Sequence, residues 1–283
     1  MSALHTLLRE SIDYAGLFPP AGLGMAQVVA NYSSYRAGPH AWALGRLVVP
    51  ASRLPELEAT GGDLRIAALL GTDAAGDLER IREFNRRHPG AVDVVEAKAD
   101  SPEAVERLLT RVPSQLTRYV EIPIAHDPAP LAAAVAKRGG RLKVRTGGIT
   151  ADAFPSAADL LRFLHAAREA AVPFKATAGL HHPLRAEYRF TYEPDSSCGT
   201  MFGFLNLFLA AALMADGLDD GDAERLLEER DREALRFDAE GVEWDGRRLD
   251  LAAIRHARES VIVSFGSCSF TEPLGDLQSL GLL

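Results

Sequence analysis

The chain has 283 residues, of which 47% are hydrophobic and 25% charged, and its formal net charge is −8. That is ample for a full core in one α/β barrel or two smaller domains, while an acidic balance without a Lys/Arg-rich block gives no support for binding nucleic acid or an anionic membrane. Two cysteines, Cys198 and Cys268, a short amphipathic N-terminus and no apolar run of bilayer length predict a cytoplasmic protein without a disulfide framework, leader or membrane span.

In chain order, short apolar runs alternate with amphipathic ones. Residues 11–18 (SIDYAGLF) read as a strand, followed by a helix over 25–35. Strands are predicted at 47–50 and 64–70, a helix at 75–87, a strand at 92–97, and a helix at 101–109 with Ser101 as cap and Pro102 in the first turn. The same alternation continues with strand 118–124, helix 130–137, strand 142–146, helix 156–169 and strand 173–178. A wholly apolar stretch at 201–214 reads as a buried helix. It is followed by a helix at 222–232, a hairpin at 235–249 turning on Asp245-Gly246, and a last strand at 261–265. Eight strands with intervening helices predict a single-domain (β/α)₈ TIM barrel over 1–283, with 183–260 as a lid-like insertion of helices plus hairpin before the last strand. An open doubly wound sheet is the competing architecture.

Charged residues inside these strands carry the functional expectation. A barrel strand alternates between jacket and interior, so a charge among apolar neighbours belongs inside, towards the carboxyl end where barrel pockets lie. Glu96, Glu121, Lys143 with Arg145, and Lys175 fall on consecutive strands and are predicted to converge on one cavity. As a buried ion-pair network alone they would be a weak stabilising device; a lysine pressed against another cation would become a nucleophilic amine suited to Schiff-base chemistry. Gly147, Gly148, Gly179 and Gly266-Ser267 follow strand ends, where backbone N–H groups can approach a ligand. Asp13 ends the first strand, and of His181-His182 one faces the pocket, His182 being taken as the substrate contact. Asp93 and Glu96 have opposite parity, so only one lines the pocket unless a bulge intervenes. His126-Asp127 reads as a loop pair and Cys268 as a small packing residue.

Several pieces, in order, resemble deoxyribose-phosphate aldolase and the class I aldolases: Ile12-Asp13-Tyr14-Ala15, Val92-Asp93-Val94-Val95, Lys143-Val144-Arg145-Thr146-Gly147, Phe174-Lys175-Ala176-Thr177-Ala178-Gly179 and Phe265-Gly266-Ser267-Cys268-Ser269. The resemblance implies a Schiff base on Lys143, a Lys175 that lowers its proton affinity, and an Asp93 that relays protons; a shifted alignment makes Lys175 the nucleophile instead. Arg145 beside the reactive lysine, the altered phosphate loop Ala178-Gly179 and the extra histidines depart from the family and imply a different substrate. The expectation is an aldolase-like carbon–carbon lyase acting on a small carbonyl compound bearing a carboxylate or phosphate that Arg145 holds. It needs no cofactor or metal, and homo-oligomer formation is left open. Two rivals stand beside it: a metal-dependent lyase or isomerase using Glu96, Glu121 and a histidine, and a barrel that binds a small ligand without turnover.

Overall fold

A computed structural model describes residues 2–57 and 64–283. The elements run α1 (Ala3–Leu8), β1 (Ile12–Tyr14), α2 (Met25–Ala37), β2 (Leu44–Pro50), β3 (Ile66–Leu69), α3 (Ala74–Arg87), β4 (Val92–Lys98), α4 (Pro102–Arg111), β5 (Thr117–Glu121), α5 (Ala129–Lys137) and β6 (Arg141–Arg145). They continue with α6 (Ala157–Glu169), β7 (Phe174–Thr177), β8 (Ala186–Arg189), β9 (Cys198–Met201), α7 (Phe204–Ala215), α8 (Asp220–Leu227), β10 (Arg236–Phe237), β11 (Gly241–Trp244), β12 (Arg247–Asp250), α9 (Leu251–Ser260), β13 (Ile262–Ser267) and α10 (Thr271–Ser279).

Eight parallel strands close into a barrel in the order β1-β13-β7-β6-β5-β4-β3-β2. The chain is therefore a (β/α)₈ barrel, and the open sheet is ruled out by the β1–β13 pairing of Ile12 with Phe265 and Tyr14 with Ser267. Strand parity sorts the side chains as a barrel requires. Leu47, Val49, Ile66, Ala68, Val95, Val120, Leu142, Val144, Phe174 and Ala176 pack in the core under the helices. Val48, Ala67, Val94 and Tyr119 form a separate apolar cluster inside the barrel.

The helical jacket follows local rules. In α6 the Ser156 side chain accepts from the Asp159 N–H while the Asp159 carboxylate accepts from the Ser156 N–H, a reciprocal cap. Ser101 caps α4 through the Ala104 N–H. The apolar helix α7 is buried from Phe204 to Met214, with Phe204 and Phe208 on Phe265 of β13. Its one polar residue, Asn206, accepts from the Arg185 N–H and donates to the Leu226 and Glu229 carbonyls, so its burial leaves no amide atom orphaned.

Residues 183–260 divide into two parts. The β8–β9 hairpin lies on the loops at the carboxyl ends of the barrel strands, with Phe190 stacked on Phe154, Tyr188 on His182, and the Tyr192 hydroxyl on Glu272. The antiparallel sheet β10-β11-β12, with its Asp245-Gly246 turn at positive φ as two-residue hairpins require, packs instead against α1 and α9 in the jacket. The insertion expected over 183–260 thus places its first hairpin on the barrel mouth and its three-stranded sheet on the jacket.

Candidate active site

Inside the barrel, above the apolar cluster of Val48, Ala67, Val94 and Tyr119, lies a layer of charge. Register brings it together: Glu121 of β5 is level with Lys143 of β6, Lys143 with Lys175 of β7, and Lys175 with Ser264 of β13. Lys143 Nζ lies 2.7 Å from Glu96 Oε2 and 2.9 Å from Glu121 Oε2. Lys175 Nζ lies 2.6 Å from Glu96 Oε1 and 2.5 Å from Asp13 Oδ2. Ser264 Oγ donates to Asp13 Oδ2 at 2.8 Å, and the Arg46 backbone N–H donates to Asp13 Oδ1 at 2.7 Å. Glu96 therefore bridges the two lysines, and three carboxylates hold two ammonium groups.

All five groups are buried, from 1% exposure at Lys175 to 9% at Glu121. Burial alone would raise the Glu96 carboxyl, but the two lysines overcome it and hold it at about 2. Burial likewise acts to raise Glu121, and Lys143 outweighs it, holding the carboxyl below the usual carboxylate range. Lys175 is pushed well above its ordinary value: desolvation works against the charge, and Asp13 and Glu96 prevail. The direct cation–cation contact expected between Lys175 and Lys143 does not form. A carboxylate stands between the two amines, and the deeper one is locked as an ammonium.

The two lysines differ in access. A cavity of about 430 Å³ at the carboxyl ends of β3 to β6 is lined by Lys143, Glu96 and Glu121, with Gly71 and Thr72 at its rim. A neighbouring cavity of about 550 Å³ shares Glu121 and Lys98 and is lined by Arg145. Lys175 lines neither and sits behind Glu96. Arg145, with its side chain 48% exposed, reaches Glu121 at 3.4 Å and points a guanidinium into the mouth; Lys98 reaches the same carboxylate at 3.7 Å.

Other expected site residues fall elsewhere. Asp13 is not a contact at the mouth but the buried partner of Lys175. Asp93 lies apart from the lysines. A register shift between β3 and β4 displaces it, and Arg46 on β2 takes it in a bidentate pair with both N–O distances at 2.6 Å. Gly147 and Gly179 serve packing between the β6 and β7 loops. A Cβ on Gly147 would lie 2.9 Å from the Gly179 Cα and run into the Phe154 ring, and Gly179 adopts φ +71°. Gly148 abuts Ala153, and Gly266 lies against Thr177 Oγ1. His182 turns away from the cavity, stacking on Tyr188 with its Nδ1 2.5 Å from Asp276. The histidine at the strand ends is His181, whose Nδ1 lies 3.3 Å from Ser267 Oγ. Among the described residues no histidine joins Glu96 and Glu121, whose oxygens face lysines, and no group of His, Cys, Asp and Glu with metal-ligand geometry is brought together. Lys98 and Ser264 escaped the sequence reading although both sit on interior strand positions.

No protein-family model matches the chain, and no curated protein matches it. Among solved structures it is similar to QR15, an aldolase, with TM-score 0.46 and 12% identity over 62% of this chain and 83% of that one. It is also similar to the spore cortex-lytic enzyme SleL of Bacillus cereus, with TM-score 0.41 and 13% identity over 96% of this chain and 73% of that one. The barrel's own strand order and register, not these likenesses, establish the fold.

Proposed function

We propose that the protein is an aldolase-like carbon–carbon lyase that holds a small carbonyl substrate as a Schiff base on Lys143. The observation that carries this reading is an amine on an interior strand, at the floor of a cavity, with a carboxylate on each side. Attack requires the neutral amine, and Glu121, the more accessible of the two partners, takes its proton. The amine adds to the substrate carbonyl to give a carbinolamine, and loss of water, with Glu121 returning the proton to the departing hydroxyl, gives the iminium ion. As a carboxylate takes the proton of the substrate's β-hydroxyl, that carbon leaves as an aldehyde and the electron pair of the broken carbon–carbon bond passes to the iminium to give an enamine. Return of the proton to the enamine carbon restores the iminium, and water hydrolyses it to free the amine. Glu96 stays ionised between the lysines and balances the cation that forms. Lys175 and Asp13 fix Glu96 from behind and touch no substrate. Arg145 and Lys98 give the mouth a positive rim suited to a carboxylate or phosphate.

A panel of 2-oxo acids paired with small aldehydes, assayed by mass spectrometry for condensation and cleavage products, tests this reading. Wild-type protein is expected to turn over at least one pair. Lys143→Met is expected to lower kcat by about 10³-fold or more, since loss of a covalent nucleophile removes the route itself. Turnover surviving Lys143→Met would overturn the assignment.

A further inference from the structure

A second group of reactive side chains lies on the other side of the barrel mouth, where β7, β13 and β1 end. Cys268 follows the last residue of β13 and is 5% exposed. His181 Nδ1 lies 3.8 Å from its sulfur and 3.3 Å from Glu272 Oε2, in the first turn of α10. Tyr192, in the loop joining β8 to β9, donates its hydroxyl to Glu272 Oε2 at 2.9 Å and lies 3.5 Å from Cys268 Sγ. The four groups form a closed ring: thiol, imidazole, carboxylate and phenol. A buried structural thiol packs among apolar atoms and is inert. This one has an imidazole in reach, and the thiol and the Glu272 carboxylate meet at the same ring nitrogen, Nδ1, which can relay a proton beside the sulfur. The His181 imidazole holds its proton up to about 9, burial opposing and the contacts with Cys268 and Glu272 prevailing.

The cover is separable from the site. Tyr192 is an exposed aromatic at 53%, carried on a two-stranded hairpin whose strand pairing is confined to itself. The hairpin rests on the barrel mouth through Phe190, Tyr188 and Tyr192, so lifting it breaks those side-chain contacts and leaves the barrel ladder intact.

We propose that Cys268 is a nucleophilic thiol, served by His181 and covered by the β8–β9 hairpin, that takes a small aldehyde as a reversible hemithioacetal. In the step, the sulfur forms a bond to the carbonyl carbon, and the thiol proton passes to His181 Nδ1 as that nitrogen gives up the proton it already holds. The C=O π pair moves to oxygen, which takes the proton from His181; no oxidant or further reactant is needed. The choice of a carbonyl follows from the donors present. Addition to C=O creates a negative oxygen, and both the imidazolium and the Tyr192 hydroxyl stand at the sulfur to meet it. The site is independent of Lys143, and either can fail alone.

Iodoacetamide labelling of the folded protein, followed residue by residue by peptide mass, tests the proposal with exposed Cys198 as internal reference. Cys268 is expected to label in the native protein, and millimolar propionaldehyde is expected to slow its labelling but not that of Cys198. His181→Asn, and separately Glu272→Gln, are expected to slow Cys268 labelling by about tenfold or more with the Cys198 rate unchanged. Tyr192→Gly, which removes the cover, is expected to speed it. Cys268→Ser is expected to leave borohydride-trapped adducts on Lys143 intact. Labelling of Cys268 only in denaturant, in wild type and in Tyr192→Gly alike, would overturn the proposal. So would native labelling indifferent to His181→Asn, to Glu272→Gln or to propionaldehyde.

Discussion

The division of labour between the two lysines is set by a single carboxylate. Glu96 reaches Lys143 with one oxygen and Lys175 with the other, so the amines are coupled through an anion rather than opposed as cations. Removing Lys175 would leave Asp13 and Glu96 short of a partner in a site 2% exposed, whereas Glu121 after loss of Lys143 retains Lys98 and Arg145. Lys175→Met is therefore expected to cost about 3–5 kcal/mol, the usual penalty for orphaning a buried charge, and more than Lys143→Met does. Urea unfolding of both variants measures this, and an equal or smaller loss for Lys175→Met would contradict the buried anchor. The convergence of Glu96, Glu121, Lys143 and Lys175 was legible from strand parity alone. The placement of Asp93 was not, because a one-residue register shift reverses which side a residue faces. The meeting of His181 with Cys268, 87 residues apart, was hidden because it depends on the closure of β13 against β7.

At the scale of elements, all eight barrel strands were visible as short β-branched runs between turn residues, and the seven helices read from periodicity also form. Three further helices and one hairpin were not visible. The six residues of α1 are too few for a periodic signal, and α9 and α10 lie in stretches for which no element is predicted from the sequence. Strands β8 and β9 carry Glu187, Arg189 and Gly199 in place of alternating apolar residues, since the hairpin rests on loops rather than on the core. The glycines after β6 and β7 read from sequence as places where a ligand approaches the backbone, and in the structure they mark the close crossing of two loops under Phe154. Gly147→Ala is accordingly expected to cost about 1–3 kcal/mol through overpacking against the Phe154 ring and Gly179. Thermal unfolding checks it, and an unchanged midpoint would show that the crossing tolerates a methyl group. For the hairpin, limited proteolysis in its 190–197 loop is expected to slow when propionaldehyde occupies the thiol site. Identical cutting with and without the aldehyde would count against a cover.

For the whole molecule, the charged interior sets how stability depends on pH. Glu96 is depressed in the folded state, so its contribution is present above the unfolded carboxylate value and is lost as pH falls from about 5 towards 2. From an ordinary value near 4.3 to about 2, this amounts to about 3 kcal/mol. Lys175 is raised, so its contribution is complete below the unfolded lysine value near 10.4 and fades only at more alkaline pH. Buried His181, raised to about 9, adds a contribution that is complete below about 6.5 and lost as pH rises towards 9, so denaturant midpoints across pH are expected to show a maximum between about pH 5 and 6.5 with a steep acid limb. Glu96→Gln should flatten that limb, and an acid limb unchanged by Glu96→Gln would place the titration elsewhere.

The central claim is that the amine of Lys143, set between Glu96 and Glu121 at the floor of the cavity, forms a covalent imine with a carbonyl substrate. The most direct measurement is borohydride reduction of the folded protein in the presence of small aldehydes, ketones and 2-oxo acids, read by intact mass and peptide mapping. A stable adduct on Lys143, absent from Lys143→Met and not transferred to Lys175, is the predicted result. An adduct on Lys175 with Lys143 free, or a folded protein unmodified at both lysines across the panel, would contradict it.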